Sequence, residues 1–243
     1  MKFIFYNNIS LSQELLKDLV RNFKYKGKIL SSGRNQIKVF EIEGQKVNIK
    51  SFKVPNVVNK IAYRFLRKSK AQRSYEYASV LIEKGIGTPF PLGYAEESNT
   101  MSFGRSFYIC EHLDHDLTFR DLTVKDEKIL RAFAAYTYQL HEKNIHFLDH
   151  SPGNTLIKIE QDGYLFYLVD LNRMKFKELS FEERMENFSR LTTSKEMLRI
   201  IANEYARCIK RPEDEVFERI WFYTEKFQNK IYRKKKLKKL LKR

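Results

Sequence analysis

The sequence predicts an α+β chain in two parts: a small sheet interrupted by one helix, then a mainly helical half that carries a hairpin. Three observations predict it. Residues 28–52 (KILSSGRNQIKVFEIEGQKVNIKSF) read as three short strands, split by Ser31-Ser32-Gly33 and Glu43-Gly44-Gln45. Residues 57–84 then carry helical patterning. Finally, Asp162-Gly163 is a two-residue turn signal between Thr155–Glu160 and Tyr164–Val169, both rich in strand formers, with helical segments on either side.

Taken in order, Ser10–Phe23 forms a short amphipathic helix with a serine cap and a stripe of Leu15, Leu16, Leu19 and Val20. Pro55-Asn56 closes the three-stranded segment. The helical region from Val57 to Lys84 has a candidate break near Ser69. Lys60, Arg64, Arg67 and Lys68 follow i, i+4, i+7, i+8 and share one face, and Lys70 and Arg73 extend the charge. That face has two readings of equal weight, solvated surface and anion contact. Gly85–Tyr94 is a loop entering a strand, Phe103–Leu113 a buried strand with a connector, and Leu117–Leu140 a helix. After the hairpin comes a helical C-terminal third, with the only tryptophan, Trp221, expected in its core. From Lys226 onward there are ten basic residues and no acidic one, with Ile231, Leu237, Leu240 and Leu241 as a sparse apolar stripe.

With 243 residues the chain can bury a sizeable core, as one domain or two closely joined lobes. A single domain is expected, with about 1–110 as a first lobe, 111–225 as a second and 226–243 as a basic helix or tail. The formal charge of +16 implies an anionic partner: nucleic acid, a phosphorylated ligand or a membrane surface. Only Cys110 and Cys208 are present, so no disulfide framework is indicated and a reducing compartment fits. The apolar run Phe3–Tyr6 is too short for a signal-peptide core, and no run reaches membrane-spanning length. The expected location is cytoplasmic.

The chemistry concentrates between Ile145 and Asp170. Asp149 opens the loop Asp149-His150-Ser151-Pro152-Gly153, Asn154 follows five positions on, and Asp170 ends the hairpin's return strand. A regular hairpin would set Asn154 and Asp170 nearly opposite each other at its open end, with Asp149 just upstream. Three oxygen-bearing side chains then converge, the grouping that a hard cation wants and that a hydroxyl about to lose its proton wants. His146 and His150 lack a third ligand for tetrahedral metal binding and read as structural or substrate-facing. Each residue also has an ordinary reading: Asp149 as a turn residue, Lys50 as a solvated strand lysine, Glu76 as an exposed helix residue and Cys110 as a small core residue. Only their order and spacing raise them above it.

Asp149-x-x-x-x-Asn154 followed by Asp170 resembles the protein-kinase catalytic loop and metal-binding aspartate, and Val47-Asn48-Ile49-Lys50 resembles the V-A-I-K strand. More narrowly, the H-x-x-D-H-S-P-G-N loop, Asp170-Leu171-Asn172-Arg173 and the GIGTPFP entry resemble the bacterial lipopolysaccharide-core kinases of the Kdo/WaaP family. The similarity covers most of residues 28–191. The resemblance implies a protein-kinase-like, two-lobed fold and a phosphotransferase acting on an alcohol. It implies ATP and Mg²⁺ as cofactors, Lys50 on the α/β-phosphates with Glu76 as its ion-pair partner, and Lys53 as a rival lysine. Asn154 and Asp170 would ligate Mg²⁺, Asp149 would act as the base, and Gly33 and the backbone of Glu111–Leu113 would meet the nucleotide. Arg173 and the face of Arg64, Arg67, Lys70 and Arg73 would meet the acceptor, a Kdo-lipid A type of lipid-linked acidic sugar.

The departures are specific. Phe147-Leu148 stand where the family of protein kinases has His-Arg, which implies no control through activation-loop phosphorylation. Asp170-Leu171-Asn172 replaces D-F-G, and the phosphate-covering loop keeps only Gly33. Two other readings therefore stay open: a protein or small-molecule kinase of the same fold, and a pseudokinase or basic binding module. For the C-terminal basic run, no aromatic alternation supports nucleic acid. Binding to an anionic membrane surface is the expectation, at the inner face of the inner membrane.

Overall fold

The structure, a computed structural model, describes residues 1–7, 9–33, 35–54, 68–98 and 103–241. Contacts divide these into two compact units, Met1–Asp114 with Asp170–Asn172, and His115–Val169 with Arg173 onward.

The first unit is built on one antiparallel sheet of β1 (Lys2–Phe5), β2 (Lys28–Ser32), β3 (Gln36–Ile42), β4 (Gln45–Phe52), β5 (Pro91–Ser98) and β6 (Phe103–Glu111). The strand order is β1-β5-β6-β4-β3-β2. Period-two alternation buries Val47 and Ile49 of β4 completely and turns Asn48 and Lys50 to the other face. Helix α1 (Gln13–Arg21) buries Leu16 and Val20 in the same apolar cluster as Phe23, Phe40, Phe107 and Ile109. Its cap is Ser12, so the helix starts later than Ser10. Leu15 falls outside the stripe, 45% exposed, because a nine-residue helix buries only one face. Helix α2 (Lys70–Glu83) begins at Ser69, whose side chain accepts from Gln72 N–H at 3.0 Å. The earlier part of the 57–84 region, with Lys60, Arg64 and Arg67, lies outside the described residues.

In the second unit β7 (Leu117–Thr118), β9 (Thr155–Glu160) and β10 (Gly163–Leu168) form one small sheet, and β8 (Ile145–Phe147) pairs with β11 (Met174–Phe176). Around them pack α3 (Glu127–Glu142), α4 (Phe181–Asn187), α5 (Lys195–Ile209) and α6 (Glu213–Leu240). Four expectations are corrected here. The helix read from Leu117 starts only at Glu127, because Asp121 and Asp126 accept from the backbone N–H groups of Thr118 and Thr123 and fold that stretch as caps and turns. The hairpin turn is Gln161-Asp162: Gly163 pairs with Glu160 and already belongs to β10. The same register sets Asn154 level with Val169, whose N–H donates to the Asn154 carbonyl at 3.0 Å, so Asp170 lies one residue further on. Trp221 is only partly buried, with Lys195 Nζ over its ring at 4.7 Å, because it falls off the buried stripe of Val216, Phe217, Ile220 and Thr224. Helix α6 continues unbroken through Lys226 into the basic run.

Candidate active site

In the first unit the Lys50 side chain is sheltered, 12% exposed, and Nζ pairs with Asp170 Oδ1 at 2.7 Å. The β4 alternation points Lys50 away from the main core and over the ring of Phe52, 5.3 Å from Nζ. Asp170 takes a left-handed φ of 59°, and Asn172 Nδ2 donates to its Oδ1 at 2.6 Å. A non-glycine residue holds that conformation at a cost of roughly 1–2 kcal/mol, so the short turn spends backbone energy to hold the carboxylate on Lys50. Lys53, the rival, is exposed. Glu76 is not the partner of Lys50: it accepts from Lys68 Nζ at 2.8 Å and Gln72 Nε2 at 2.9 Å. Gln72 lies one turn back on the same face of α2, which gives Glu76 a local partner.

The remaining nucleotide-side expectations divide. Glu111 N–H donates to the Phe90 carbonyl and His112 N–H to the Lys46 carbonyl, both at 2.9 Å, so neither donor is free for an adenine edge. Leu113 follows directly in the connector. Gly33 lies in the exposed turn after β2, where an added Cβ would meet nothing within 4 Å. Cys110, beside Lys50, is a core thiol pushed up to about 12 by burial. Lys70 and Arg73 sit in the first turn of α2, and Arg73 Nε is buried with no hydrogen bond among the described residues.

In the second unit Asp149 has two arginine neighbours. Arg190 Nη1 donates to Oδ1 at 2.8 Å, and Arg173 Nη1 lies 4.0 Å from Oδ2. The loop that follows is held at both ends. Asn154 Nδ2 donates to the Asp149 carbonyl at 2.9 Å, which leaves the Asn154 amide oxygen without a bond among the described residues. Leu148 N–H donates to the Arg173 carbonyl at 3.1 Å, and Asn187 Nδ2 to the Phe147 carbonyl at 2.8 Å. Phe147 is fully buried, which accounts for an apolar residue where a histidine was expected. Behind it His141 bridges Tyr205 Oη at 2.7 Å and Asn187 Oδ1 at 3.1 Å. Burial pushes His141 down to about 3 and His150 down to about 4, so both are neutral imidazoles. His150 packs against Phe133, Phe147 and Phe188. His146 is half-buried and also lowered by burial. A cluster of three or more His, Cys, Asp or Glu able to hold a metal does not occur among the described residues.

Arg190, Asn187 and His141 were not singled out in the sequence. Each acts on Asp149 or its loop from 41, 40 and 46 positions away or through a partner that far away. Spacing carries no such signal; a helix-face analysis of α4 would have marked Asn187 only as a buried polar residue.

The donor chemistry fits the implied cofactors residue by residue. Asp170 offers a carboxylate and Asn154 an unbonded amide oxygen, the hard donors Mg²⁺ takes while keeping several waters, and Lys50 offers a sheltered cation for phosphate.

The model of the lipopolysaccharide kinase (Kdo/WaaP) family matches residues 20–211. Among curated protein sequences none matches the chain. Among solved structures, WaaP in complex with acyl carrier protein aligns at 14% identity over 96% of this chain and 100% of that one, with a TM-score of 0.63. An aminoglycoside-3'-phosphotransferase of type VIII aligns at 12% identity over 86% and 98%, with a TM-score of 0.57. The fold is protein-kinase-like.

Proposed function

The chain belongs to the lipopolysaccharide kinase (Kdo/WaaP) family, a phosphotransferase on a sugar hydroxyl, and from that premise we propose that it carries the γ-phosphoryl group of ATP to an acidic inner-core sugar, Kdo before heptose. The observation that carries the reading is the 2.7 Å pair between Lys50 and Asp170, residues 120 positions apart that phosphoryl transfer needs at the phosphates and the metal.

The roles follow from the charge on the moving group. Phosphoryl transfer asks the protein mainly for positioning and charge neutralisation. Lys50 holds the α/β-phosphates. Asp170 and Asn154 would each offer an oxygen to Mg²⁺, which would neutralise charge on the phosphates. Asp149 orients the acceptor hydroxyl and takes its proton. The hydroxyl oxygen forms the new bond to the γ-phosphorus, the bond to the bridging oxygen breaks, and ADP leaves with that electron pair. Glu76, engaged by Lys68 and Gln72, has no part in this scheme. For location, no helix among the described residues is long and apolar enough to cross a membrane. The exposed end of α6, with Leu237, Leu240 and Leu241 among lysines, supports peripheral attachment to an anionic inner-membrane face.

The test is turnover of Kdo-lipid A with Mg²⁺ and ATP, read as a mass gain of one phosphate on the sugar. Asp149→Ala should lower turnover by about 10²–10⁴-fold, the usual share of a positioned acid or base. Equal turnover in the two proteins would remove Asp149 from the role. Absence of transfer in the wild type, with a melting temperature unmoved by Mg²⁺ and ATP, would overturn the kinase reading for this chain.

A further inference from the structure

A pocket of about 390 Å³ opens in the second unit beside the Asp149 loop. That volume is in the range of small-molecule sites, which run to about 300–1,000 Å³. Leu148 and His150 of the loop line one side. Helix α6 also lines it, through Tyr223, Lys226, Phe227 and Lys230. Nothing in the basic run at the C-terminus had suggested that its first two lysines, both exposed, border a cavity.

The lining is strongly cationic. Arg173, Lys175, Arg190, Lys226 and Lys230 share the lining with the carboxylates of Glu183 and Glu186, and Glu183 is already held by Lys177 at 2.6 Å. Among the described residues Lys175, Lys226 and Lys230 have no carboxylate partner. His150, 1% exposed, adds an imidazole. Asn187 lies beside it, but its amide is committed to His141 and the Phe147 carbonyl. Both ring nitrogens of His150 are thus left without a hydrogen bond among the described residues. Arg190 joins this pocket to the base: one side of its guanidinium donates to Asp149 and its Cζ lies over the Phe227 ring of α6 at 5.1 Å.

We propose that this pocket holds the anionic group of the acceptor, a compact oxyanion on the sugar, and that α6 is therefore part of the substrate site. The assignment rests on Asp149 as the base. Three lysines with no carboxylate partner among the described residues, beside a polar aromatic wall, suit a carboxylate or a phosphate, and Arg190, bonded to Asp149 at 2.8 Å, puts that anion next to the side chain that must meet the hydroxyl. It also moves acceptor recognition from the basic face near α2, where the sequence had placed most of it, to α6.

The experiment compares the wild type with the double variant Lys226→Ala/Lys230→Ala. Both lysines are exposed on α6, so the fold should survive, and an unchanged melting temperature verifies it. Probes are a soluble glycoside of a sugar acid, its neutral amide and a phosphorylated neutral glycoside, titrated calorimetrically without nucleotide. The wild type should bind an anionic probe at least about tenfold more tightly than the amide, the scale of one charge-assisted hydrogen bond, and the double variant should lose that preference. In turnover the variant should raise the acceptor KM about tenfold and leave the nucleotide KM where it was. Preference for the carboxylate over the phosphate, or the reverse, identifies which oxyanion the pocket takes. Equal binding of anionic and neutral probes, or an intact preference in the double variant, would overturn the proposal. The titration needs no phosphoryl transfer, so failure of the pocket and failure of the kinase reading give different results.

Discussion

His141, Asn187 and Phe147 are linked by two hydrogen bonds, and through them the loop that starts at Asp149 is tied to the buried interior. Burial keeps the imidazoles neutral: His141 is lowered to about 3 and His150 to about 4. Both return to an ordinary value near 6.5 when the chain unfolds. Unfolding therefore takes up protons below that pH, and the stability these groups contribute is complete above pH 6.5. It is lost as pH falls through about 4 for His150 and about 3 for His141. At pH 5 the loss is roughly 2 kcal/mol per imidazole. Urea unfolding at pH 7.5 and pH 5 checks it, with His150→Phe, a ring among the rings of Phe133, Phe147 and Phe188, expected to remove about half of the pH dependence. A wild-type stability that is flat between the two values would contradict it. At this scale the sequence showed Asp149, Asn154, Asp170 and Lys50, which lie in short, ordered motifs. Arg190 escaped notice because an ion pair across 41 positions leaves no local pattern.

The elements were legible where alternation or a cap decides them. Strands β2, β3 and β4 form where three strands were read, though Ser31 and Ser32 belong to β2 and Gln45 opens β4, and Ser69 caps α2 where a break was expected. The 117–126 stretch was misread because apolar spacing resembling a helix competes there with two aspartates that accept from the backbone three residues back. Edge strand β1 was not read at all: it is four residues long and is held by pairing with β5. At Gly93 this pairing is so close that an added Cβ would lie 2.5 Å from the Ile4 carbonyl oxygen. Gly93→Ala should consequently push β1 off the sheet and cost about 1–3 kcal/mol, the usual penalty for overpacking. Thermal unfolding measures it, with Gly153→Ala as the contrast. There the new Cβ would meet only the mobile end of Arg120, at 2.8 Å, and the loss should be smaller. Equal losses at the two glycines would contradict the account of β1.

For the molecule as a whole, the charge of +16 is the property that most restricts its partners. Part of it lies in the pocket beside Asp149, and eight basic residues lie between Arg233 and Arg243. These two groups should separate experimentally. Deleting 233–243 keeps Lys226 and Lys230, so it should weaken binding to anionic vesicles while sparing turnover of detergent-dispersed substrate. Each basic residue near an acidic leaflet contributes about 1 kcal/mol, so the loss should be large and should shrink as salt is raised. Unchanged vesicle binding after the deletion would refute membrane attachment through this end of α6.

The sequence by itself determined the α+β class, the strand that carries Lys50, the loop from Asp149 to Asn154 and the family to compare. These depend on period, turn chemistry and short spacings, all of which act within a few residues. Only the tertiary structure decided that Lys50 pairs with Asp170 instead of Glu76, that Arg190 holds Asp149, and that the first lysines of the basic run line a pocket. Those outcomes depend on which helix faces pack and where a left-handed residue turns the chain. Burial and charge pairing between distant segments settle them, and neither is written in local order.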